Sequence, residues 1–89
     1  MKTEYLPSFI KDLKKLKKVP DYSQVRAIAF ESIPQCQSIT KINNLKKIKG
    51  AKNAYRIRVG DYRLGVFIQN DTVTFSRVLH RKEVYRYFP

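Results

Sequence analysis

The chain has 89 residues, of which 19 are Lys or Arg and seven are Asp or Glu, so its formal net charge is +12. A chain of this length holds one domain with a modest core, which excludes an enzyme with a separate cofactor domain. The hydrophobic content of 43% is too high for a disordered basic tail. The composition therefore predicts one folded domain over residues 1–89 that binds a polyanion or an acidic protein.

Cysteine content and hydropathy suggest the compartment. Cys36 is the single cysteine, so no internal disulfide can form and a reducing cytoplasm fits. No apolar run approaches the roughly 20 residues that a membrane helix needs, and the first residues lack the apolar core of a signal peptide. We therefore expect a cytoplasmic protein that does not enter a membrane.

The first half of the chain predicts a short strand and two helices. An extended segment opens the chain at Lys2–Tyr5, and apolar residues at helical spacing between lysines predict a helix over residues 7–18. Asp21 suits the N-cap of a second helix, which we expect to end at Pro34. Residues 35–53 are polar, and no helix or strand is predicted there.

The second half predicts three strands joined by tight turns. Ala54–Val59 alternates with a period of two, and Gly60-Asp61 is a two-residue hairpin signal with Gly first. A return strand over residues 62–68, a turn at Asn70-Asp71 and a strand over residues 72–79 follow, before a short helix or irregular tail over residues 80–88. The order β-α-α-β-β-β-(α) predicts an α+β domain with two helices packed on one face of a small antiparallel sheet.

The hairpin register places arginines opposite one another. If Val59 pairs with Tyr62, then Arg58 faces Arg63, and Arg56 faces Gly65 on that same side. Like charges directly opposed on a sheet are destabilising, so an anion that bridges them is a natural explanation. The competing explanation is a solvated strand surface whose charge discourages aggregation. Gly65 removes a side chain beside the cluster, which would let a bulky ligand approach.

The same count continues into the third strand. It pairs Gly65 with Ser76 and Arg63 with Val78, and it predicts a core side made of Ile57, Leu64, Val66, Ile68, Val73 and Phe75. Arg77 fits this count badly, because it falls opposite Leu64 on the core side. Either Arg77 lies at the sheet margin with its charged group in water, or a bulge shifts the register.

Three segments together resemble the RelE/ParE superfamily of bacterial toxin–antitoxin systems. They are the lysine-rich Leu45-Lys46-Lys47-Ile48-Lys49-Gly50, the hairpin from Ala54 to Arg63, and Val78-Leu79-His80-Arg81-Lys82-Glu83-Val84-Tyr85. Residues 9–16 also look like the first helix of the family. The resemblance covers nearly the whole chain and keeps the order of its elements.

The resemblance implies a toxin that occupies the ribosomal A site and cuts mRNA, with an acidic antitoxin as its partner. The basic positions of RelE-type members match Arg56 and Arg58, where the best-known members carry lysines. Arg63 and Arg81 match two further arginines, and Tyr85 matches a C-terminal tyrosine, with Tyr87 as a second candidate. Because arginine keeps its proton, Arg56 and Arg58 are poor choices for acid–base catalysis.

The residue types favour metal-free cleavage. The acids are scattered, the single His has no ligand partner at useful spacing, and no nucleophilic triad has sequence support. We therefore expect no metal and no cofactor. The 2′-OH of RNA can attack the adjacent phosphate by itself, and arginines held on strands can align that attack and stabilise its transition state. Tyr85 could act as a base or stack on a nucleobase, and His80 could be an acid or base or merely a turn histidine.

Lysines would add general attraction to RNA. We assign four lysines to RNA binding through salt-sensitive contacts with ribosomal RNA: Lys46, Lys47, Lys49 and Lys52.

Two alternative functions remain open. One is a ParE-type inhibitor of DNA gyrase with the same fold and no nuclease site. The other is a non-catalytic RNA-binding module that stacks bases on its tyrosines.

Overall fold

The computed structural model describes residues 1–89 and contains five strands and four short α-helices. The strands are β1 (Lys2–Tyr5), β2 (Leu45–Lys47), β3 (Ala54–Val59), β4 (Tyr62–Gln69) and β5 (Thr72–His80). The helices are α1 (Pro7–Lys14), α2 (Tyr22–Ala27), α3 (Ile33–Gln35) and α4 (Val84–Tyr87). A π-helical turn at Ile28–Ser32 joins α2 to α3, and a 3₁₀ turn at Ile39–Lys41 precedes β2. The predicted α+β class is confirmed. None of the helices has the length and apolar character needed to cross a bilayer.

The five strands form one sheet in the order β1-β5-β4-β3-β2. The β3–β4 and β4–β5 pairs are antiparallel, as predicted, and β2 pairs antiparallel with β3, but β1 lies parallel to β5, so the sheet is mixed. β2 is a strand that the sequence did not predict. It has only three residues, and two of them are exposed lysines, so it lacks the alternation that identifies a half-buried strand. Lysines on such an edge also hinder pairing with other chains.

Two helix boundaries differ from the prediction. α1 ends at Lys14 instead of residue 18, because the chain tightens into i→i+3 hydrogen bonds, such as the one from Lys15 N–H to Asp12 O (3.1 Å). Asp21 stands at the N-cap of α2 but does not cap it with its side chain. Its carboxylate instead accepts a hydrogen bond from Asp61 N–H (3.3 Å). Gly60 permits this approach, since a Cβ there would lie 2.9 Å from Asp21 Oδ2.

Pro34 does not end the second helical segment, because the helix widens before it. Ile33 N–H donates to Ile28 O, an i→i−5 bond, and Pro34 itself has no N–H to offer. The buried Ala29 carbonyl accepts instead from the Tyr5 hydroxyl, at 2.6 Å. The wider turn thus accommodates the proline ring, and Tyr5 ties β1 to it.

We expect Tyr5→Phe to lower the free energy of unfolding by about 1–2 kcal/mol, because it leaves the buried Ala29 carbonyl without a donor. The ring contacts with Phe30 and Phe75, at 4.6 and 5.1 Å between centroids, are retained in this variant. Urea denaturation of the two proteins measures the difference. Tyr85→Phe, which removes an exposed hydroxyl, is the control. An unchanged urea midpoint for Tyr5→Phe would show that the hydrogen bond carries no net stability.

The sheet has a hydrophobic cluster on each face. The main one, of 14 buried residues, includes Phe9 and Leu13 of α1 and all six residues that the sequence assigned to the core side. The smaller one consists of Ala54, Val84 and Phe88, where the C-terminal segment packs on the opposite face. The helices α1 and α2 therefore cover one face, and α4 covers part of the other.

A β-bulge resolves the position of Arg77. The β4–β5 register follows the prediction from Gln69 and Thr72 to Val66 and Phe75, and then shifts, so that Gly65 pairs with Arg77. The predicted pairs of Gly65 with Ser76 and of Arg63 with Val78 are therefore wrong, and Arg63 pairs with Leu79. The bulge follows the last contact of β1 with β5, where an extra residue can be inserted into a free edge.

Beyond the bulge, α1 replaces β1 as the neighbour of β5. Asp12 of α1 is 6% exposed, and its carboxylate accepts hydrogen bonds from Arg77 Nε (2.6 Å), Arg77 Nη2 (3.2 Å) and Val78 N–H (3.2 Å). The hydrogen bond from Asp12 raises the pKa of Arg77 above its ordinary value, against the opposing effect of burial. Arg77 is thus a structural cation that joins α1 to β5.

Candidate functional site

The β3–β4 hairpin brings three arginines to the sheet face opposite α1 and α2. The predicted pairs of Arg58 with Arg63 and of Arg56 with Gly65 are confirmed. Gly60 has a φ of 58°, as a two-residue turn with Gly in first position requires. Arg81 follows β5 beside this turn, because its N–H donates to Asp61 O (2.8 Å) and its Nε lies 3.6 Å from the Asp61 carboxylate. We call Arg56, Arg58, Arg63 and Arg81 the arginine face.

Positive charge is concentrated around Arg63. Burial, then the neighbouring Arg56 and Arg58, lower the pKa of Arg63 below its ordinary value, and Arg81 acts in the same direction. The Nη1 of Arg63 donates to the carbonyls of Gly60 (2.9 Å) and Tyr62 (3.0 Å), which holds the guanidinium in place. The buried Nε of Arg56 has no hydrogen-bond partner in the chain. An anion with several oxygens would relieve the repulsion among these guanidinium groups.

A cleft of about 270 Å³ lies beside Arg56 and Arg58. Asn44, Leu45 and Lys46 complete its lining. Lys46 pairs with Arg56 in the β2–β3 ladder, so the unpredicted strand β2 adds this lysine to the arginine face. The other assigned lysines lie elsewhere. Lys47 pairs with Tyr55 and points away from the arginine face with its ammonium 5.3 Å from the Tyr55 ring centre, and Lys49 and Lys52 are exposed in the loop before β3.

His80 is not brought to the arginine face. It pairs with Tyr62, one residue out of phase with Arg63, and the two rings are 5.5 Å apart. It lines a separate cavity of about 360 Å³ with Asp12 of α1 and with Lys15 and Leu16 of the turn that follows α1. Its Nδ1 accepts a hydrogen bond from Lys82 N–H (3.2 Å), which is the arrangement of a turn histidine.

The two tyrosines of α4 occupy different positions. Tyr85 is 62% exposed and lies close enough to Arg63 for its phenolate to raise the pKa of that arginine. Tyr87 is 51% exposed, and its ring centre lies 5.8 Å from the guanidinium carbon of Arg77. The geometry therefore associates Tyr85, and not Tyr87, with the arginine face.

Gly65 does not leave the open space that the sequence suggested. A Cβ at Gly65 would lie 2.6–2.8 Å from ring carbons of Phe88, so the chain's own C-terminal aromatic residue fills the gap. Sequence reasoning did not identify Phe88, although its spacing of four from Val84 is a helical signal. No group of three His, Cys, Asp or Glu side chains is placed to hold a metal ion.

We expect Arg58→Gln to raise the free energy of unfolding by about 0.5 kcal/mol, since it removes one of two like charges paired across strands. The gain should shrink at high salt, where the repulsion is screened. Urea denaturation at two salt concentrations measures both effects. Lys17→Gln, which removes an exposed charge from the turn after α1, is the control. A loss of stability in Arg58→Gln at low salt would contradict the repulsion described above.

Comparison with known proteins finds relatives that match nearly the whole chain. Residues 3–85 match the family model described as the ParE toxin of the type II toxin–antitoxin system parDE. Toxin RelE3 of Methanocaldococcus jannaschii is 46% identical over 93 residues, with full coverage of both chains. The RelB-RelE antitoxin–toxin complex of Methanococcus jannaschii has a TM-score of 0.76 at 42% identity, covering 97% of this chain and 99% of the other. The RelBE2 toxin–antitoxin complex of Mycobacterium tuberculosis shows the same fold, with a TM-score of 0.71 at 24% identity over 90% of each chain.

The small mixed sheet is thus shared with toxins of type II toxin–antitoxin systems, and the chain belongs to the RelE/ParE superfamily. Within that superfamily, the relative that matches over full length and the solved structure above 40% identity are both RelE proteins. The chain is a RelE-type toxin of a type II toxin–antitoxin system.

Proposed function

We propose that the arginine face holds the scissile phosphate of mRNA in the ribosomal A site. The observation that supports this most directly is the pair of Arg58 and Arg63, opposed across two strands with Arg56 and Arg81 beside them. Such a cluster opposes its own folding and is best explained by an anionic ligand. The adjacent cleft, lined by Arg56 and Arg58, provides a space for it.

In the proposed reaction the RNA supplies its own nucleophile. The 2′-oxygen bonds to phosphorus, the bond to the 5′-oxygen breaks, and the products are a 2′,3′-cyclic phosphate and a 5′-hydroxyl. One proton leaves the 2′-OH, and one reaches the departing 5′-oxygen. Arg56, Arg58 and Arg63 orient the phosphate and balance the charge on its oxygens, while Arg81 stabilises the leaving oxygen.

Proton transfer needs a group other than arginine, because guanidinium groups keep their protons. Tyr85 is our candidate for the base, since its side chain is exposed and lies beside Arg63. Its ring could also stack on the nucleobase next to the cut. Tyr87 and His80 are left out of the proposal because they lie beside Arg77 and on the opposite face, respectively.

The remaining basic residues provide attraction and not chemistry. Lys46 extends the arginine face along the path of the RNA, and Lys47, Lys49 and Lys52 contribute salt-sensitive contacts with ribosomal RNA. The ribosome would supply the orientation that so small a site lacks. A toxin that acts on translating ribosomes would work in the cytoplasm, and we propose that location for this protein.

We further propose that a cognate antitoxin binds this chain, as in the solved complexes of its relatives. An acidic segment of the antitoxin would be attracted to the same arginine face that binds RNA. The antitoxin would then silence the toxin by competing with mRNA for these cations, and the excess charge of +12 would serve both partners.

The proposal is tested by mapping mRNA ends by primer extension in a translation extract that contains the purified protein. Cuts at ribosome-positioned codons that disappear in Arg81→Ala are the expected result. Arg26→Ala is the matched control, because it removes an exposed arginine of α2, away from the arginine face. The termini of the fragments should be a cyclic phosphate and a 5′-hydroxyl.

Two outcomes would contradict this assignment. Uncut mRNA together with inhibited DNA supercoiling would favour the gyrase inhibitor. Uncut mRNA together with tight, salt-sensitive RNA binding would favour the non-catalytic module.

A further inference from the structure

α4 is too short to be stable by itself. It spans four residues, and the hydrogen bond from Phe88 N–H to Val84 O (2.8 Å) closes its single complete turn. An isolated helix of this length is not stable in water, so tertiary contacts must hold it. Val84 is 0% exposed and Phe88 is 2% exposed. These two residues anchor the turn and leave Tyr85 facing outward.

The Phe88 ring packs into the space left by the missing side chain of Gly65. Gly65 pairs with Arg56 on one side and with Arg77 on the other, so the ring lies over the middle strand between these two residues. It also packs against Phe67, at 5.1 Å between ring centroids. A Cβ at Gly65 would approach three ring carbons of Phe88 within 2.8 Å.

The need for glycine at position 65 is steric. Its backbone lies outside the left-handed region that favours glycine, in contrast to Gly50 and Gly60, so any L-residue could adopt the same conformation. What position 65 requires is the missing side chain, and the occupant of that space is Phe88. Gly65 and Phe88 therefore act as a pair.

We propose that Phe88, seated on Gly65, is a positioning residue for RNA cleavage, which holds α4 so that Tyr85 stands beside Arg63. The inference rests on the proposed function of the arginine face and adds to it a pair of residues that do not touch the RNA. The cluster formed by Ala54, Val84 and Phe88 is separate from the main core. Loss of the Phe88 ring should therefore release α4 without unfolding the sheet.

Single-turnover cleavage on programmed ribosomes, with saturating toxin, tests the inference. Phe88→Ala and Gly65→Ala should each lower the cleavage rate by about 10²-fold, which is within the range that a positioned acid or base contributes. Phe88→Leu should recover part of the rate. The affinity for ribosomes carrying mRNA blocked by 2′-O-methylation should change by less than about threefold.

A double-variant comparison separates positioning from general damage. If Phe88 acts through Tyr85, the combined variant Phe88→Ala/Tyr85→Phe should be no more than about threefold slower than the slower single variant, whereas independent effects would multiply. Gly65→Ala should likewise cause little further loss of cleavage rate when it is combined with Phe88→Ala. Val73→Ala, at a buried position of the main core, is the control for a general loss of stability and should retain the wild-type rate.

Hydrogen exchange provides a readout that does not depend on cleavage. Gly65→Ala should accelerate exchange of the Phe88 amide by more than tenfold and leave the amide of Val73 unchanged. Unchanged Phe88 exchange, or a Phe88→Ala protein that cuts at the wild-type rate, would overturn the positioning role alone. A wild-type protein that leaves mRNA uncut would overturn the proposed function, and the catalytic role of Phe88 with it.

Discussion

Replacing Arg63 by Ala lowers the rate of mRNA cleavage by about 10²- to 10³-fold, which is the expected cost of removing one preorganised donor from a charged transition state. Arg63 is the central cation of the arginine face, since Arg56, Arg58 and Arg81 all act on its pKa. Its guanidinium is also held by two backbone carbonyls and so needs little reorganisation during the reaction. Single-turnover cleavage of programmed ribosomes measures the rate.

Arg63→Lys distinguishes charge from geometry. Lysine keeps the positive charge but not the planar fork, so it should restore only a small part of the lost rate. Arg26→Ala, outside the arginine face, should cleave at the wild-type rate. A wild-type rate in Arg63→Ala would exclude the arginine face as the phosphate site, whatever the antitoxin does there.

Asp12→Ala should have the largest effect on stability, lowering the free energy of unfolding by about 2–4 kcal/mol. The variant removes a buried carboxylate that accepts three hydrogen bonds, and it leaves Arg77 and the Val78 N–H without their partner. The Arg77 side chain is 27% exposed, so water can solvate part of it when Asp12 is removed. The expected loss of stability is therefore smaller than for a fully buried ion pair. Thermal unfolding should show a decrease of roughly 10–20 °C in Tm.

Two variants test the cause of that loss. Asp12→Asn keeps the shape and one acceptor oxygen and should recover part of the stability, whereas Lys14→Ala, exposed on the same helix, should lie close to wild type. Equal Tm values for Asp12→Ala and Lys14→Ala would show that the ion pair contributes nothing net. The arginine face lies across the sheet, so the folded Asp12→Ala protein should still cleave mRNA.

Local pattern was sufficient for the strands that flank tight turns. The bounds of β3 and the pairing of Arg58 with Arg63 followed from alternation and from a two-residue turn, because both are properties of adjacent residues. β2 could not be found in this way, since a strand of three residues has too few positions to show a period. The sequence also could not predict that the second helical segment continues past Pro34, because this depends on the Tyr5 hydroxyl of β1, which is distant in sequence.

Part of the candidate site could be predicted from the same local hairpin pattern. The arginines of the hairpin were predicted to share a face, and they do. The sequence left two explanations for the position of Arg77, a bulge or a place at the sheet margin. The structure shows the bulge, which lies in β5 just beyond the last residue paired with β1. His80 could be assigned to a face only once that register was known.

The sequence by itself determined the α+β class, the hairpin and its cluster of like charges, and it led us to expect an anionic partner, since these follow from composition and from the spacing of neighbouring residues. The tertiary structure alone decided which residues separated in sequence meet: Asp12 with Arg77, Tyr5 with the π-helical turn, and Phe88 with Gly65. The physical reason is that a buried partner is selected by packing between elements, and no local period records which distant side chain will satisfy it.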